Sequence, residues 1–227
     1  MDFQHHCDEQ GFAIIPAVLT DPDISKLEQA FARADVRRSK AGVRHALKHS
    51  PVAEMAHDER LLEIVRRVLG TGAFPFRATL FDKSPNSNWL VVWHQDTALP
   101  LCEKHETPGW GPWSVKDGVK YAHAPAMTLA QVLALRIHLD DSIADNGPLR
   151  VLPGTHKMGV LSDDAIHKLA EEFTSVDCLV PRSGVLAMRP LIVHASSKSR
   201  SEMPRRVLHV EYAASRFIEN GLELAVA

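Results

Sequence analysis

The segment VVWHQDTALP, residues 91–100, places a histidine and an aspartate two residues apart directly after an apolar run. In an extended backbone, residues i and i+2 point to the same face of a sheet, so His94 and Asp96 are expected to lie side by side. An imidazole and a carboxylate supply two of the three protein ligands of a common type of iron site. The end of this apolar run is therefore a candidate metal site that needs a third ligand.

The third candidate ligand also follows an apolar run. It is His194, in RSGVLAMRPLIVHASS, residues 182–197. Two histidines and one carboxylate occupy one face of an octahedral iron(II) ion and leave positions open for a cosubstrate and for oxygen. Taken alone, His194 also fits a core histidine that donates to a backbone carbonyl, and zinc accepts the same three ligand types.

An arginine eleven residues further on favours iron over zinc. Arg205 begins the strand-like segment RRVLHVEYAAS, residues 205–215. A guanidinium presents a planar fork of donors that can hold a carboxylate through two hydrogen bonds. A dicarboxylate such as 2-oxoglutarate needs a metal at its 2-oxo-acid end and a fixed cation at its other end. His194 and Arg205 offer one of each, while Arg206 should face the opposite side of the strand.

Short apolar or alternating runs fill the chain from Phe74 onward, separated by Pro, Gly, Asn and Asp, which is typical of β-strands. Many short strands after helices predict a mainly β, double-sheet or barrel architecture with helices on one face. The predicted strand segments are residues 74–83, 88–96, 131–142, 149–154, 177–190, 191–197 and 205–215.

The helices are predicted from their start and stop signals. Thr20, Pro22 and Asp23 form a helix start with a capping box, followed by an apolar stripe at Ile24, Leu27, Phe31 and Ala34. A second helix is predicted over 59–69 and ends at Gly70. A third, short helix is predicted over 162–173, between strands.

One connecting segment is unusually long. Residues 97–125, TALPLCEKHETPGWGPWSVKDGVKYAHAP, show little periodicity, and loops beyond about 12–15 residues are usually functional or disordered. Two tryptophans and a tyrosine argue against disorder. The segment is predicted to be a lid over the active site, the alternative being a surface loop packed by its own aromatic side chains.

Composition narrows the class of protein. With 227 residues, 45% hydrophobic and 24% charged, the chain suits a single folded domain, 1–227, and its net charge of −2 gives no general attraction to nucleic acid or anionic membranes. Cys7, Cys102 and Cys178 are odd in number and far apart, which is typical of reduced thiols. No secretory signal or membrane-spanning segment is recognisable, so a soluble, cytoplasmic protein is expected, with His5 and His6 exposed.

Four segments in this order resemble the phytanoyl-CoA dioxygenase-like family of iron(II)- and 2-oxoglutarate-dependent oxygenases. They are WHQD at 93–96, NGPLRVLPGTHK at 146–157, RSGVLAMRPLIVHASS, and the arginine that follows. The resemblance covers roughly residues 75–215. It implies a double-stranded β-helix, also called a jelly roll and cupin-like, over 73–227, with a helical N-terminal segment (residues 1–72) packed on it and the lid at about 97–125.

The resemblance also implies roles for individual residues. His94, Asp96 and His194 would bind iron(II), Arg205 would bind the distal carboxylate of 2-oxoglutarate, and Ser196 would hydrogen-bond the same group. The implied reaction consumes O2, decarboxylates 2-oxoglutarate to succinate and hydroxylates a small organic substrate. Related halogenases lack the carboxylate ligand, so Asp96 makes halogenation an unfavoured outcome.

The strand at 131–142 departs from the family pattern. Arg136 and His138 share one face of it, where many relatives carry an aromatic and a small residue. If that face lines the barrel, a charge there needs a partner, so Arg136 and His138 become candidates for binding the cosubstrate or an acidic substrate. The opposite register would direct both away. Lys83 and Asn88 are weaker candidates for pocket contacts, with Lys83 expected to be exposed.

The substrate itself is not predicted. Candidate substrate contacts in the lid are Trp110, Trp113, Tyr121 and His123. Two alternative functions stay open: a jelly-roll metalloenzyme that uses Zn or Mn for hydrolysis or isomerisation, and a non-catalytic ligand-binding jelly roll. The sequence also leaves open whether the protein accepts an acyl-CoA and whether it catalyses desaturation or ring formation in place of hydroxylation. It does not indicate the oligomeric state.

Overall fold

The computed structural model describes residues 2–32, 42–85 and 87–227. Six helices flank the strands in these ranges. They are α1 Phe3–Gln10, α2 Asp21–Ala32, α3 Ser50–Ala56, α4 Glu59–Leu69, α5 Ala126–Leu129 and α6 Asp163–Glu172.

Helix boundaries follow the capping chemistry of the sequence. The Thr20 hydroxyl and the Asp23 carboxylate bond each other and each other's backbone N–H, which is the predicted capping box of α2. Gly70, with φ of 93°, ends α4, and the Ser162 hydroxyl caps α6. The predicted Ala34 lies outside the described residues.

Thirteen strands are present in the described ranges of the chain. They are β1 Phe12–Ile15, β2 Gly42–Val43, β3 Phe74–Lys83, β4 Val91–His94, β5 Ala98–Leu101, β6 Trp113–Lys116, β7 Val119–His123, β8 Val132–His138, β9 Leu149–Val151, β10 Val176–Cys178, β11 Val185–Met188, β12 His194–Ser196 and β13 Arg205–Ala213.

The strands form two main antiparallel sheets and a small third one. The larger sheet has the order β1-β11-β8-β13-β3-β2, and the smaller one the order β10-β9-β12-β4. Their inner faces enclose the cavity described below. This arrangement is the predicted jelly roll.

Helices α1 to α4 cover the outer face of the six-stranded sheet. Alternate residues of β3, β8 and β13, including Leu80, Leu135 and Leu208, pack in one apolar cluster with Leu27 and Leu61 of the helices. Because a strand alternates its faces, the residues between them point into the barrel. The inward-facing polar residues of these strands, among them Arg77 and His209, therefore line the cavity.

Two predictions of secondary structure, one of a strand and one of a loop, need correction. The predicted strand over 177–190 is two strands, β10 and β11, in different sheets, because Pro181 to Gly184 turn the chain between them. Residues 97–125 are not a loop without regular structure: β5, β7 and β6 form a three-stranded antiparallel sheet. Asp117 and Gly118, both with positive φ, make the turn between β6 and β7.

The two N-terminal histidines differ in exposure. His5 is exposed, as expected, but His6 is partly buried and packs its ring edge against Phe12. Among the described residues, no helix has the length and apolar character needed to span a membrane.

Candidate active site

Three possible metal ligands converge where β4 and β12 pair. His94 and His194 are direct cross-strand partners, and their ring centroids lie 4.2 Å apart. Asp96 follows β4 and is held by its backbone N–H, which donates to the Pro190 carbonyl. One ligand atom from each of the three residues lies within 4.8 Å of the other two. The residues that the sequence singled out are thus brought together.

Backbone carbonyls orient both imidazoles. The Nδ1 atoms of His94 and His194 lie 2.8 and 2.9 Å from the carbonyl oxygens of Val92 and Ile192. A carbonyl only accepts, so each Nδ1 carries the proton and each Nε2 keeps a free lone pair. These Nε2 atoms lie 3.7 and 3.6 Å from the two Asp96 carboxylate oxygens. Two imidazole nitrogens and a carboxylate therefore face one point, as metal ligation requires.

Burial and charge keep the ligands in the forms that bind metals. Burial lowers the pKa of His194 to about 4, against the opposing effect of Asp96. For Asp96, burial alone would raise the pKa, but the groups around it, His194 first, together hold that pKa well below its usual range. At neutral pH the site consists of a neutral imidazole and an ionised carboxylate.

Arg205 lies on the same inner surface of the barrel and lines the same cavity. Its Nε donates to the Asn146 carbonyl and its Nη2 to the Ser196 hydroxyl, at 3.2 and 3.3 Å. Its Nη1 is buried and has no partner in the described structure. Ser196 also accepts from the Lys83 ammonium at 2.8 Å. The Ser196 hydroxyl donates in turn to the Gly147 carbonyl at 2.8 Å, so the donors left in this cluster are those of Arg205 and Lys83.

Lys83 is buried, with only 1% of its surface exposed, so the expectation that it is exposed was wrong. Burial, together with Arg205 and Arg136, lowers the pKa of Lys83 to about 7. The signal was present in the sequence: Arg77, Thr79, Phe81 and Lys83 recur at every second position of β3, which is the alternation of a single strand face. Asn88 instead bonds Ser199 at the surface.

The structure gives the register of Arg136 and His138. Both are buried on the inner side of β8, and Arg136 lines the cavity. The Arg136 Nη1 lies 3.1 Å from Nδ1 of His209, and its Nε has no partner in the described structure. Neither ring nitrogen of His138 has a partner among the described residues. Burial and the nearby Arg136 and Arg205 hold the pKa of His138 well below its usual value.

The donors at this end of the cavity fit a carboxylate cosubstrate. Arg136, Arg205 and Lys83 are buried basic side chains, and none of them forms an ion pair within the residues that the structure describes. Burial lowers the pKa of Arg205 to about 9, which reflects the cost of a cation without a counter-ion. Arg205 and the three candidate metal ligands line one cavity of about 210 Å³. The residues present therefore suit iron(II) together with a 2-oxo dicarboxylate.

The other end of the cavity carries a buried ion pair that the sequence did not reveal. Arg77 donates to Glu211 through Nε and Nη2 and to the Ala98 carbonyl through Nη1. Tyr121 of β7 lies beside this pair, and its hydroxyl is 2.9 Å from Nε2 of His45. Arg77 and Glu211 are cross-strand partners on β3 and β13, so only the pairing of these strands identifies the pair.

Of the four residues predicted to contact the substrate, only Tyr121 lines the cavity in the described structure. Trp110 is buried in an apolar cluster with Phe76 and the C-terminal Leu224. Trp113 packs against the same cluster, and His123 bonds the Thr97 hydroxyl. The tryptophans therefore anchor the three-stranded sheet beside the barrel, because their large apolar surfaces are buried there.

Comparison with known proteins agrees with this geometry. Residues 7–207 match the family model described as phytanoyl-CoA dioxygenase (PhyH). An L-proline trans-4-hydroxylase from Streptomyces griseoviridis is 24% identical over 89% of this chain and 82% of its own. The crystal structure of EctD from S. alaskensis with 2-oxoglutarate and 5-hydroxyectoine superposes with a TM-score of 0.70 at 21% identity, over 92% of this chain and 74% of EctD.

A second solved structure shares the fold. HygX from Streptomyces hygroscopicus, with nickel and 2-oxoglutarate bound, gives a TM-score of 0.69 at 19% identity, over 96% of this chain and 88% of HygX. The fold and the site together place the protein in the class of iron(II)- and 2-oxoglutarate-dependent dioxygenases. Within that class, the chain belongs to the phytanoyl-CoA dioxygenase family. The predicted fold, enzyme class and cofactors are thereby confirmed.

Proposed function

We propose that the protein hydroxylates a small, anion-bearing organic molecule, with iron(II) bound by His94, Asp96 and His194 and 2-oxoglutarate bound by Arg205 and Ser196. The observation that carries the proposal is that three converged metal ligands line the same cavity as Arg205, a buried arginine with one nitrogen that has no partner among the described residues. A hydrolytic zinc or manganese enzyme has no use for that guanidinium.

The reaction balances as a substrate C–H bond, O2 and 2-oxoglutarate giving a C–OH bond, succinate and carbon dioxide. When bound, iron with 2-oxoglutarate supplies the oxidising chemistry. The chain's own residues bind and orient: the Val92 and Ile192 carbonyls fix the two imidazoles, and Arg205 sets the position of the cosubstrate. Hydroxylation is favoured as the outcome by the names of the proline hydroxylase relative and of the 5-hydroxyectoine complex.

The cavity supports a small substrate. Its volume of about 210 Å³ is below the ~300–1,000 Å³ of sites for drug-sized ligands. Of the four aromatic or histidine side chains predicted for substrate contact, we assign the role to Tyr121, which lines the cavity beside Arg77 and Glu211.

The charge of the lining supports an anionic substrate. Its lysines and arginines outnumber its carboxylates by six to two, and a bound iron(II) adds as much charge as 2-oxoglutarate removes. The cavity therefore keeps an excess of positive charge that an anionic group on the substrate would offset. The lining cations are Arg44, Arg77, Lys83, Lys116, Arg136 and Arg205, and the carboxylates are Asp96 and Glu211.

The test measures succinate formed in air from iron(II), 2-oxoglutarate and a panel of small organic and amino acids, each paired with its primary amide. We expect an acid, and not its amide, to raise succinate formation. Asp96→Ala should abolish it, while Asp164→Ala, which removes an exposed aspartate of α6, should not. Metal-dependent turnover with zinc or manganese that consumes no O2 would contradict the enzyme class, and equal stimulation by amides would contradict the anionic substrate.

A further inference from the structure

Arg136 is a buried cation with an unusual partner. Its residue is 6% exposed, it lines the cavity, and it forms no ion pair within the described ranges of the chain. Its hydrogen-bond partner is the Nδ1 atom of His209, at 3.1 Å. A buried guanidinium is usually paired with a carboxylate, because burial without a counter-ion is costly. The arrangement therefore leaves Arg136 oriented but not neutralised.

The hydrogen bond determines the tautomer of His209. A guanidinium has only donors, so Nδ1 of His209 must accept and the ring proton must lie on Nε2. That Nε2 faces the Glu211 carboxylate at 3.7 Å, and Glu211 is in turn held by Arg77. Burial first, and then the adjacent Arg136, hold the pKa of His209 well below its usual value. His209 is therefore a neutral, fixed acceptor.

Packing also fixes the direction of the Arg136 side chain. Arg136 and His209 are cross-strand partners on β8 and β13. The Phe81 ring of β3 contacts both: its centroid lies 5.3 Å from the Arg136 guanidinium carbon and 5.8 Å from the His209 ring centroid, edge to face. A side chain held by one hydrogen bond and one aromatic face loses little further entropy when it binds a ligand.

An anion is the ligand that this arrangement fits. Arg136 lies on the same inner surface as Lys83 and Arg205, and its charge affects the pKa of both. The dicarboxylate cosubstrate is the anion that this class of enzyme brings to that surface. Its charge would offset the buried guanidinium.

We propose that Arg136 is a second cation for 2-oxoglutarate, beside Arg205, and that His209 is the positioning residue that holds it there. The inference rests on the proposed function, because it requires 2-oxoglutarate to bind in this cavity. It assigns His209 no contact with the cosubstrate. The effect of His209 on 2-oxoglutarate should therefore depend entirely on the presence of Arg136.

The experiment titrates 2-oxoglutarate anaerobically into the iron(II)-loaded protein and follows the visible charge-transfer band of the complex. Arg136→Leu should raise the Kd for 2-oxoglutarate by about tenfold to a hundredfold, the range expected for a lost charge-assisted hydrogen bond. His209→Leu should raise it at least about fivefold. The double variant should bind no more weakly than Arg136→Leu, within about twofold, since the two residues act as one unit.

Further variants separate positioning from a structural effect. His209→Asn, whose side-chain oxygen can replace Nδ1 as acceptor, should restore the Kd to within about threefold of wild type, whereas His209→Gln should not. His156→Leu replaces a part-buried histidine remote from the cavity and should leave the Kd unchanged. Nickel(II) binding measured by calorimetry should be unaltered in every variant, because the metal ligands are untouched.

Three results would overturn the inference. They are an unchanged Kd in His209→Leu, losses that multiply in the double variant, and equal losses in His209→Asn and His209→Gln. The last comparison remains decisive if His209→Leu fails to fold. A wild-type protein that binds iron but shows no band with 2-oxoglutarate would instead refute the proposed function, and this inference with it.

Discussion

Two adjacent arginines at the start of β13 do different things because a strand alternates its side chains. Arg205 faces the cavity with one nitrogen free in the described structure, whereas Arg206 faces the helices and pairs with Asp140 and Glu28. This difference could be predicted from spacing alone. The pairing of Arg77 with Glu211 could not, because it depends on which strands become neighbours.

The adjacent arginines give a matched test. Arg205→Ala should raise the Kd for 2-oxoglutarate at least about tenfold while changing metal affinity by less than about twofold, because it removes a charge-assisted pair to the cosubstrate only. Arg206→Ala should leave both affinities unchanged and lower the free energy of unfolding by about 1 kcal/mol, since it breaks a part-exposed ion-pair network. Calorimetry and denaturant unfolding measure these quantities. Equal losses of metal and cosubstrate affinity in Arg205→Ala would refute its role.

Local patterns predicted helices α2, α4 and α6 and strands β3, β4 and β8 to β13, but not the sheet within residues 97–125. Alternation is weak there, since Trp110 and Trp113 pack against side chains from β3 and from the C-terminal segment. The one strong local signal was Asp117-Gly118, a dipeptide typical of two-residue hairpin turns. It identifies the β6–β7 hairpin, whereas the pairing of β5 with β7 depends on tertiary packing.

Two buried histidines on the inner faces of β8 and β13 are expected to make the free energy of unfolding depend on pH. His138 and His209 are buried, and burial holds the pKa of each well below the ordinary 6.5. As the pH falls below about 6.5, the unfolded chain protonates both while the fold keeps them neutral. The unfolded state then binds more protons, so the free energy of unfolding decreases with falling pH.

We expect His138→Leu to reduce this pH dependence in the metal-free protein. Between pH 6 and pH 5 the slope should fall by up to about 1.4 kcal/mol per pH unit, the contribution of one proton. Denaturant unfolding at several pH values measures it. His5→Leu, which replaces an exposed histidine, should keep the wild-type slope. Identical slopes in wild type and His138→Leu would show that His138 is protonated in the fold or exposed in solution.

At the scale of the whole molecule, the jelly roll brings together residues that are distant in sequence. His94 and His194 become cross-strand neighbours only when β4 and β12 pair, and Arg205 joins them from the other sheet. The strand-like runs predicted a double-sheet or barrel architecture, and the family resemblance of the four ordered segments implied the jelly roll with its metal ligands together. The order of strands in each sheet, and the position of α1 and α3, had no local signal strong enough to predict them.

The most direct test of this cavity as an iron and 2-oxoglutarate site is anaerobic addition of iron(II) and then 2-oxoglutarate to the purified protein, followed by visible spectroscopy. We expect a weak metal-to-ligand charge-transfer band in wild type that is lost in His194→Ala, with the His194→Ala protein still folded by circular dichroism. If the wild-type protein binds iron tightly but 2-oxoglutarate produces neither a band nor measurable affinity, the assignment of this cavity to iron and 2-oxoglutarate is wrong.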